Sequence, residues 1–538
     1  LFLADLEDSS ADRGAIVSAP LLLRLFFCSM LVSVSQLDAQ TTPPAEAGGI
    51  VPGRYLVVYS DGVTPADTEA RVQAIGVRLV RRHPQLGVDT VEALRRNPRS
   101  RIASPSAQSD TGDDQNTMRL LAAQPGVRYV LHDRIVTAHH VRVQPVSEAV
   151  FSVAVGASAF DTYYNSPQGW AVRQVGGYGA NIPGGPTHGP WDTTKGKGVR
   201  IAILDSGVDT SHPDIAPNLA LSISDIEPSE LASVCDDGSP QDQDGHGTWT
   251  ASLAAGALGP GTGKTVGVAP AATLLSIKVL QRMPAASGAS DTARCDAGEA
   301  SGLLSWVIQG IEDAVANHAD IISMSLGARI DLSTGDGAGT KVLFDQITYA
   351  ATQSGAVLIA AAGNDAANLS NPRYIEIPAQ SRSVLSVIAS TNPACREDTR
   401  VGSACVAGPP SLAYYSNYGV SLGALAAPGG SYPSGGDMEV SGWVRGACSS
   451  GLAGTNSGVP SDSGHSFGCF NLGHAAYVQA IGTSASAPLV AGAAALLRAA
   501  HPDWSPSMIM DALRSTTTPG TSVFPYQQVN VANNFAQP

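Results

Sequence analysis

Two short apolar runs in this chain end abruptly in polar residues next to glycine. Val199–Leu204, apolar apart from Arg200, gives way to Asp205-Ser206-Gly207, and Val357–Ala362 to Gly363-Asn364-Asp365. A run of about six aliphatic residues closed by turn formers reads as a buried strand. The C-terminal edge of such a strand is where open α/β sheets keep their ligand chemistry. Two stretches of small residues, Trp249–Ala257 and Leu489–Ala500, read as helices. The pattern points to an α/β architecture with Asp205 and Asn364 at strand ends.

Composition sets the outer limits. The chain has 538 residues, 43% of them hydrophobic, which excludes global disorder and leaves room for two to four units. The net charge of −14 argues against nucleic acid or an anionic membrane surface as the main partner. That charge is uneven: residues 54–140 carry 12 Arg and no Lys against 9 acids, whereas residues 161–538 carry 17 bases against 30 acids. The two parts are expected to attract each other.

Two further motifs bear on chemistry. Asp244-Gly245-His246-Gly247-Thr248 precedes the first small-residue helix, and its glycines let the backbone approach closely and leave the imidazole open. Gly482-Thr483-Ser484-Ala485-Ser486 opens the second. Unpaired N–H groups and the helix dipole at such a start favour developing negative charge, as an attacking serine requires, although a serine there is also an ordinary cap. The Asn364 amide can donate to an oxyanion.

In the order Asp205, His246, Asn364, Ser484, these elements resemble those of the subtilisin-like serine proteases, the subtilases. The likeness covers roughly residues 190–518 and includes Ser323-Met324-Ser325-Leu326-Gly327, Tyr415-Ser416-Asn417-Tyr418-Gly419 and Ala426-Ala427-Pro428-Gly429. It implies a three-layer fold, a mainly parallel sheet between helices, preceded by a small α+β (ferredoxin-like) propeptide domain. It further implies Ser484 as nucleophile, His246 as general base, Asp205 as its orienting partner and Asn364 as oxyanion donor, with no cofactor required. The resemblance places the substrate pocket between Ser325-Leu326-Gly327 and Ala361-Ala362-Gly363, with Glu376 at its floor. There Glu376 would favour Lys or Arg substrates, unless the preceding loop is displaced and the carboxylate faces solvent. Ala328 stands where many relatives carry a second glycine.

The same resemblance organises the rest of the chain. Residues 1–39 read as a signal peptide on the apolar stretch of ten that follows Arg24, too short to span a bilayer, with cleavage expected after Ala39. The chain opens on Leu1 rather than Met, which leaves open a reading frame extended upstream or truncated. Residues 40–52 read as a linker, 53–139 as an inhibitor-type propeptide, 140–160 as a processing linker, 161–518 as the catalytic domain and 519–538 as a C-terminal tail. Within the propeptide, residues 54–59 read as a strand. A helix capped at Thr64 is expected to carry Val72, Ile75 and Leu79 on one face, with an exposed excursion over 95–117 and a strand over 127–131. Self-cleavage is expected between Thr137 and Phe160, at Arg142 if basic residues are preferred.

An exported chain sits in an oxidising compartment, so six cysteines favour disulfides over metal; sequence-neighbour pairing gives 235–295, 395–405 and 448–469, with buried free thiols as the alternative. Asp236, Asp237, Asp242 and Asp244 would suit either a structural calcium or a solvated acidic loop, and the missing EF-hand spacing favours the loop. Gly259–Thr265 departs from a phosphate-binding loop because residue 258 is Leu. The whole reads as a secreted (extracellular or periplasmic) monomeric endopeptidase with no stable membrane anchor and no nucleic acid partner. It would act on protein or peptide substrates, with its own propeptide as intramolecular inhibitor. The alternatives are a non-catalytic binding protein on the same fold and an esterase-type acyl hydrolase.

Overall fold

Alternate residues of the strand Ile50–Tyr59 serve two different cores, which places this strand between two layers. Tyr55, Val57 and Tyr59 pack with Val72 and Leu121, while Leu56 and Val58 join a larger cluster shared with the rest of the protein. The computed structural model describes residues 48–60, 62–94, 111–139, 169–178, 188–227, 233–258, 265–391, 411–419, 423–430, 443–451, 469–471, 475–515, 517 and 526–535. All of these fall in the compact unit Pro43–Pro538. The first elements are β1 (Ile50–Tyr59), α1 (Thr68–Gln73), β2 (Val77–His83), β3 (Val88–Ala93), α2 (Thr111–Ala122) and β4 (Val127–Ala138). Strand order β4-β1-β3-β2, all antiparallel, gives the ferredoxin-like α+β arrangement.

Several expectations shift here. The first helix starts at Thr68 rather than after Thr64 and stops at Gln73; Gly76, at φ 76°, turns the chain, so Leu79 lies in β2 instead of on a helical face. Residues 111–117 of the expected excursion belong to α2, and the strand expected over 127–131 runs on to Ala138. The expected linker to residue 52 includes the first residues of β1.

The remainder runs α3 (Trp170–Gln174), α4 (Pro190–Thr193), β5 (Arg200–Asp205), β6 (Leu219–Ser224), α5 (His246–Ala255), β7 (Thr273–Lys278), β8 (Leu280–Met283), α6 (Asp291–Asp296) and β9 (Glu299–Leu303). There follow α7 (Leu304–Ala316), β10 (Ile321–Met324), β11 (Leu326–Asp331), α8 (Gly335–Gln353), β12 (Val357–Ala361), β13 (Tyr374–Ile377), β14 (Val384–Thr391), β15 (Ser411–Leu412) and β16 (Leu425–Pro428). Last come β17 (Val444–Ala447), β18 (Phe470–Asn471), β19 (Ala476–Ala480), α9 (Thr483–Ala500), α10 (Pro506–Ser515) and β20 (Gln527–Gln528). A parallel sheet in the order β20-β16-β14-β12-β10-β5-β7-β6, with β15 antiparallel on β14, forms the middle layer. In β5 the residues Ile201 and Ile203 face the core of α5, α9 and α10, and Ala202 and Leu204 face that of α7 and α8. Both faces are covered, which is why the strands read as continuous apolar runs. Residues 526–535, expected in a tail, add the edge strand β20 and bury Val529 and Val531. Disulfides join Cys235 to Cys295 and Cys448 to Cys469; Cys395 and Cys405 lie outside the described residues, as do the apolar stretch at 25–34, residues 259–264 and Arg142.

Strand β4 ties the N-terminal unit to the rest. Its first half pairs with β1 and its second half lies antiparallel to both β9 and β11. Val136 is fully buried in the core that contains Leu326 and α7. Among the described residues, the ion pairs joining 48–139 to the remainder all place the base on the N-terminal unit. These are Arg54–Glu227, Arg81–Asp225, Arg81–Glu227, His83–Glu312, His132–Asp336, Arg134–Asp336 and His139–Glu376. At the start of α7 the Asp133 carboxylate accepts from the Ser305 N–H (3.1 Å) and hydroxyl (2.6 Å).

His132 sits between Asp114 and Asp336. Burial opposes its charging, but hydrogen bonds and charge from Asp336 and Asp114 raise its pKa above the usual 6.5 overall. Asp114 and Asp336 are held below the usual carboxylate value against the cost of burial, chiefly by Tyr55 and His132 respectively. The imidazolium contribution is complete below the unfolded pKa of about 6.5 and is lost as pH rises through the folded value; the carboxylate contribution is present above about 3.9 and is lost as pH falls. In a Ser484→Ala background, which keeps the chain whole, His132→Gln should therefore lower the unfolding midpoint more at about pH 5 than at about pH 9, measured by thermal denaturation across that range.

Candidate active site

Topology brings three of the singled-out residues to one edge. Met324 of β10 is in register with Leu204 of β5 and with Ala360 of β12. Asp205 and Ser325 therefore occupy adjacent strand ends, and Asn364 follows the next strand along. Parallel neighbours lie about 4.8 Å apart, so these ends form one short row.

His246 begins α5, directly after Gly245 at φ 104°. Its Nδ1 lies 2.7 Å from Asp205 Oδ1, which also accepts the Ser206 N–H at 2.7 Å; Asp205 Oδ2 accepts from the Thr250 hydroxyl at 3.1 Å. Both members of the pair are buried, and Trp249 meets the imidazole edge-on at 5.8 Å. Burial disfavours the imidazolium, yet the charges of Asp205, Asp244 and Asp242 with the Asp205 hydrogen bond raise the His246 pKa overall. The loops carrying the pair touch backbone to backbone, since a Cβ on Gly247 would lie 2.0 Å from the Gly207 carbonyl oxygen.

Asp242 organises this region. It is fully buried and accepts five hydrogen bonds, from the N–H groups of Asp244, Gly245 and Thr248 and the hydroxyls of Ser206 and Thr248. Ser206 in turn accepts the Gly247 N–H. Asp236 is likewise buried against Lys278 and the Arg282 N–H, and Asp244 pairs with Arg282. Burial pushes Asp244 up to about 6 against the pull of Arg282. The expected solvated acidic loop is thus corrected: three of its four carboxylates are internal acceptors, and only Asp237 faces solvent. No group of three or more His, Cys, Asp or Glu that could hold a metal occurs among the described residues.

Ser484 is the second residue of α9, where backbone N–H groups have no partner within the helix. Its N–H donates to the His139 carbonyl at 3.1 Å, and its hydroxyl donates to that same oxygen and, at 3.2 Å, to the Ser325 carbonyl. His139, one residue beyond β4, donates its own N–H to the Ser325 carbonyl at 3.0 Å. Asn364 Oδ1 is fixed by the N–H and hydroxyl of Thr483, both at 2.9 Å, while its Nδ2 is buried without a hydrogen-bond partner among the described residues.

Around His139 the structure brings together Gly327 and Glu376. Thr137 and Ala138 pair with Gly327 and Leu326. Glu376 is 2% exposed, and its Oε1 lies 3.2 Å from His139 Nε2. A Cβ on Gly327 would come within 2.5 Å of His139 Cε1 and 2.6 Å of Glu376 Oε1, so the close approach of these two side chains depends on that glycine. Burial raises the Glu376 pKa against the opposing pull of His139. Ala361 packs in the main core, Ala362 joins a cluster with Leu369 and Ile388, and Leu326 joins the α7 core, so these three side chains point inward. Ala328 continues β11 into its pairing with β13. Reading the sequence missed Asp242 as an organising acceptor and His139 as the residue against Ser484. The turn spacing of Asp242 from Gly245 and Thr248 was an available signal for the first; nothing local marked the second.

The chain belongs to the subtilase family, whose model matches residues 196–535. It is 32% identical over 323 residues to subtilisin NAT of Bacillus subtilis subsp. natto, covering 60% of this chain and 61% of that protein's length. To subtilisin of Bacillus pumilus it is 32% identical over 331 residues, covering 62% and 88%. The fold resembles that of fervidolysin from Fervidobacterium pennivorans, with a TM-score of 0.59 at 19% identity over 92% of this chain and 64% of that one.

Removing the Asp242 acceptor would strand five donors in a buried place. Asp242→Ala should therefore cost at least about 3 kcal/mol of stability, read as a lowered denaturant midpoint at unchanged slope.

Proposed function

We propose that this chain is a secreted serine endopeptidase made as a self-processing zymogen. The observation that carries this reading is the position of His139: a strand of the chain lies in the cleft and ends with its carbonyl on the Ser484 N–H and hydroxyl. A bound peptide awaiting cleavage, or just cleaved, would sit the same way. The chain would run as signal peptide 1–39, linker 40–52, propeptide 53–139, processing linker 140–160 and catalytic domain from 161, with the domain extended past 518 to include β20.

In this reading the Ser484 hydroxyl attacks the carbonyl carbon of the residue in the His139 position. His246 takes the hydroxyl proton and returns it to the leaving amine, and Asp205 orients the imidazole and stabilises its cation. The Ser484 N–H and Asn364 Nδ2 would hold the developing oxyanion, with the Asn364 amide kept in place through its oxygen by Thr483. Water then hydrolyses the acyl-enzyme with His246 again as base. Such chemistry needs no cofactor. The scissile bond of the precursor follows His139, three residues before the expected Arg142. Glu376 would make the pocket selective for basic side chains, histidine among them.

Expression of Ser484→Ala should yield a full-length precursor, whereas the unchanged chain should give a mature form whose N-terminus is His140; mass and N-terminal sequencing decide this. Equal processing of both would overturn the proposal. Glu376→Gln should reduce the kcat/KM advantage of His, Lys or Arg over Leu and Phe in matched peptides by about tenfold, and an unchanged preference would remove Glu376 from specificity.

A further inference from the structure

The residues of β4 upstream of His139 lie along the cleft as a substrate would, so their contacts report further subsites. Counting back from His139, Val136 is the fourth residue and is buried in the apolar core beside Leu303, Leu304 and Leu326. Arg134 is the sixth, and its guanidinium reaches the Asp336 carboxylate in the first turn of α8. That carboxylate also accepts the His132 N–H at 2.8 Å and lies 3.2 Å from His132 Nδ1. Asp336 thus meets the strand at two successive same-side positions, as the two-residue period requires. It is mostly buried, at 19% exposure, which limits screening of the pair. The cap of α8 is supplied separately by Thr334, whose hydroxyl accepts the Gly337 N–H, so Asp336 is not needed for that bond.

We propose that Asp336 is a specificity-determining residue that selects arginine six residues upstream of the cleaved bond. With Val136 and the Glu376 pocket, it defines the preferred substrate as an extended polypeptide segment of the form Arg-x-Val-x-x-His. Segments of this form need not come from the chain itself; any extended strand that enters between β9 and β11 presents the same side chains to the same groups. This inference rests on the proposed peptidase activity.

The test uses protein expressed from the full chain and quenched fluorescent decapeptides carrying residues 132–141, so that the bond after His139 lies between fluorophore and quencher, with Arg, Gln or Glu at the sixth upstream position. A chromogenic Val-Thr-Ala-His peptide that ends short of Asp336 is run beside them. Expected kcat/KM follows Arg over Gln over Glu, with about five- to tenfold between Arg and Gln at low salt and less as ionic strength rises. Asp336→Asn should erase the difference, and Asp336→Lys should invert it in favour of Glu, a gain that a purely structural role would not give. Equal kcat/KM for the three decapeptides, with the tetrapeptide cleaved, would overturn the Asp336 inference alone. No cleavage of any peptide, the tetrapeptide included, would overturn the peptidase reading and this inference with it.

Discussion

Strand β4 is hydrogen-bonded in two directions along its length, first to β1 in the N-terminal sheet and then to β9 and β11 beside the cleft. Without it the N-terminal unit would present an open edge at β1, and β9 and β11 would face each other across an unfilled gap. A backbone ladder of this kind is indifferent to side chains, so it supplies attachment while the alternating side chains supply register. Val136 facing the α7 core and Arg134 facing Asp336 fix that register, and the register in turn places the His139 carbonyl on Ser484.

The geometry at the sheet edge depends on a second arrangement that lies beneath it. Asp205 and His246 come from segments 41 residues apart, held together by Asp242, Ser206 and Thr248 through buried hydrogen bonds. Burying this many carboxylates is costly unless each is satisfied. Asp236 and Asp244 meet that condition through Lys278 and Arg282, so bases from β7 and β8 support the loop between β6 and α5. The result is a polar region as tightly specified as the apolar cores around it.

Much of this was legible from residues alone. Strand ends at Asp205 and Asn364 and the helix start at Ser484 announce themselves because apolar runs and turn formers change abruptly there, and buried parallel strands leave little ambiguity. Two of the sequence-neighbour cysteine pairings match the described disulfides. The N-terminal unit was harder. Val72, Ile75 and Leu79 have helical spacing, yet Gly76 breaks the run, and β3 buries Asp89 and Glu92, which pair with Tyr59 and Arg78 at a distance. The acidic run 236–244 looked solvated because its counter-charges, Lys278 and Arg282, lie some forty residues away in sequence. The inward-facing positions of Ala361 and Ala362 follow from strand direction in three dimensions, which spacing does not reveal.

The bonds from Ser484 to His139 have a consequence for concentration. While the chain is continuous, the strand that fills the cleft is tethered to the surface that receives it, and its local concentration is set by the intervening segment rather than by how much protein is present. Occupancy is then the same in a dilute and a crowded compartment. Any break in the backbone after β4 would convert that unimolecular contact into a bimolecular one, and from that moment dilution itself would begin to clear the cleft.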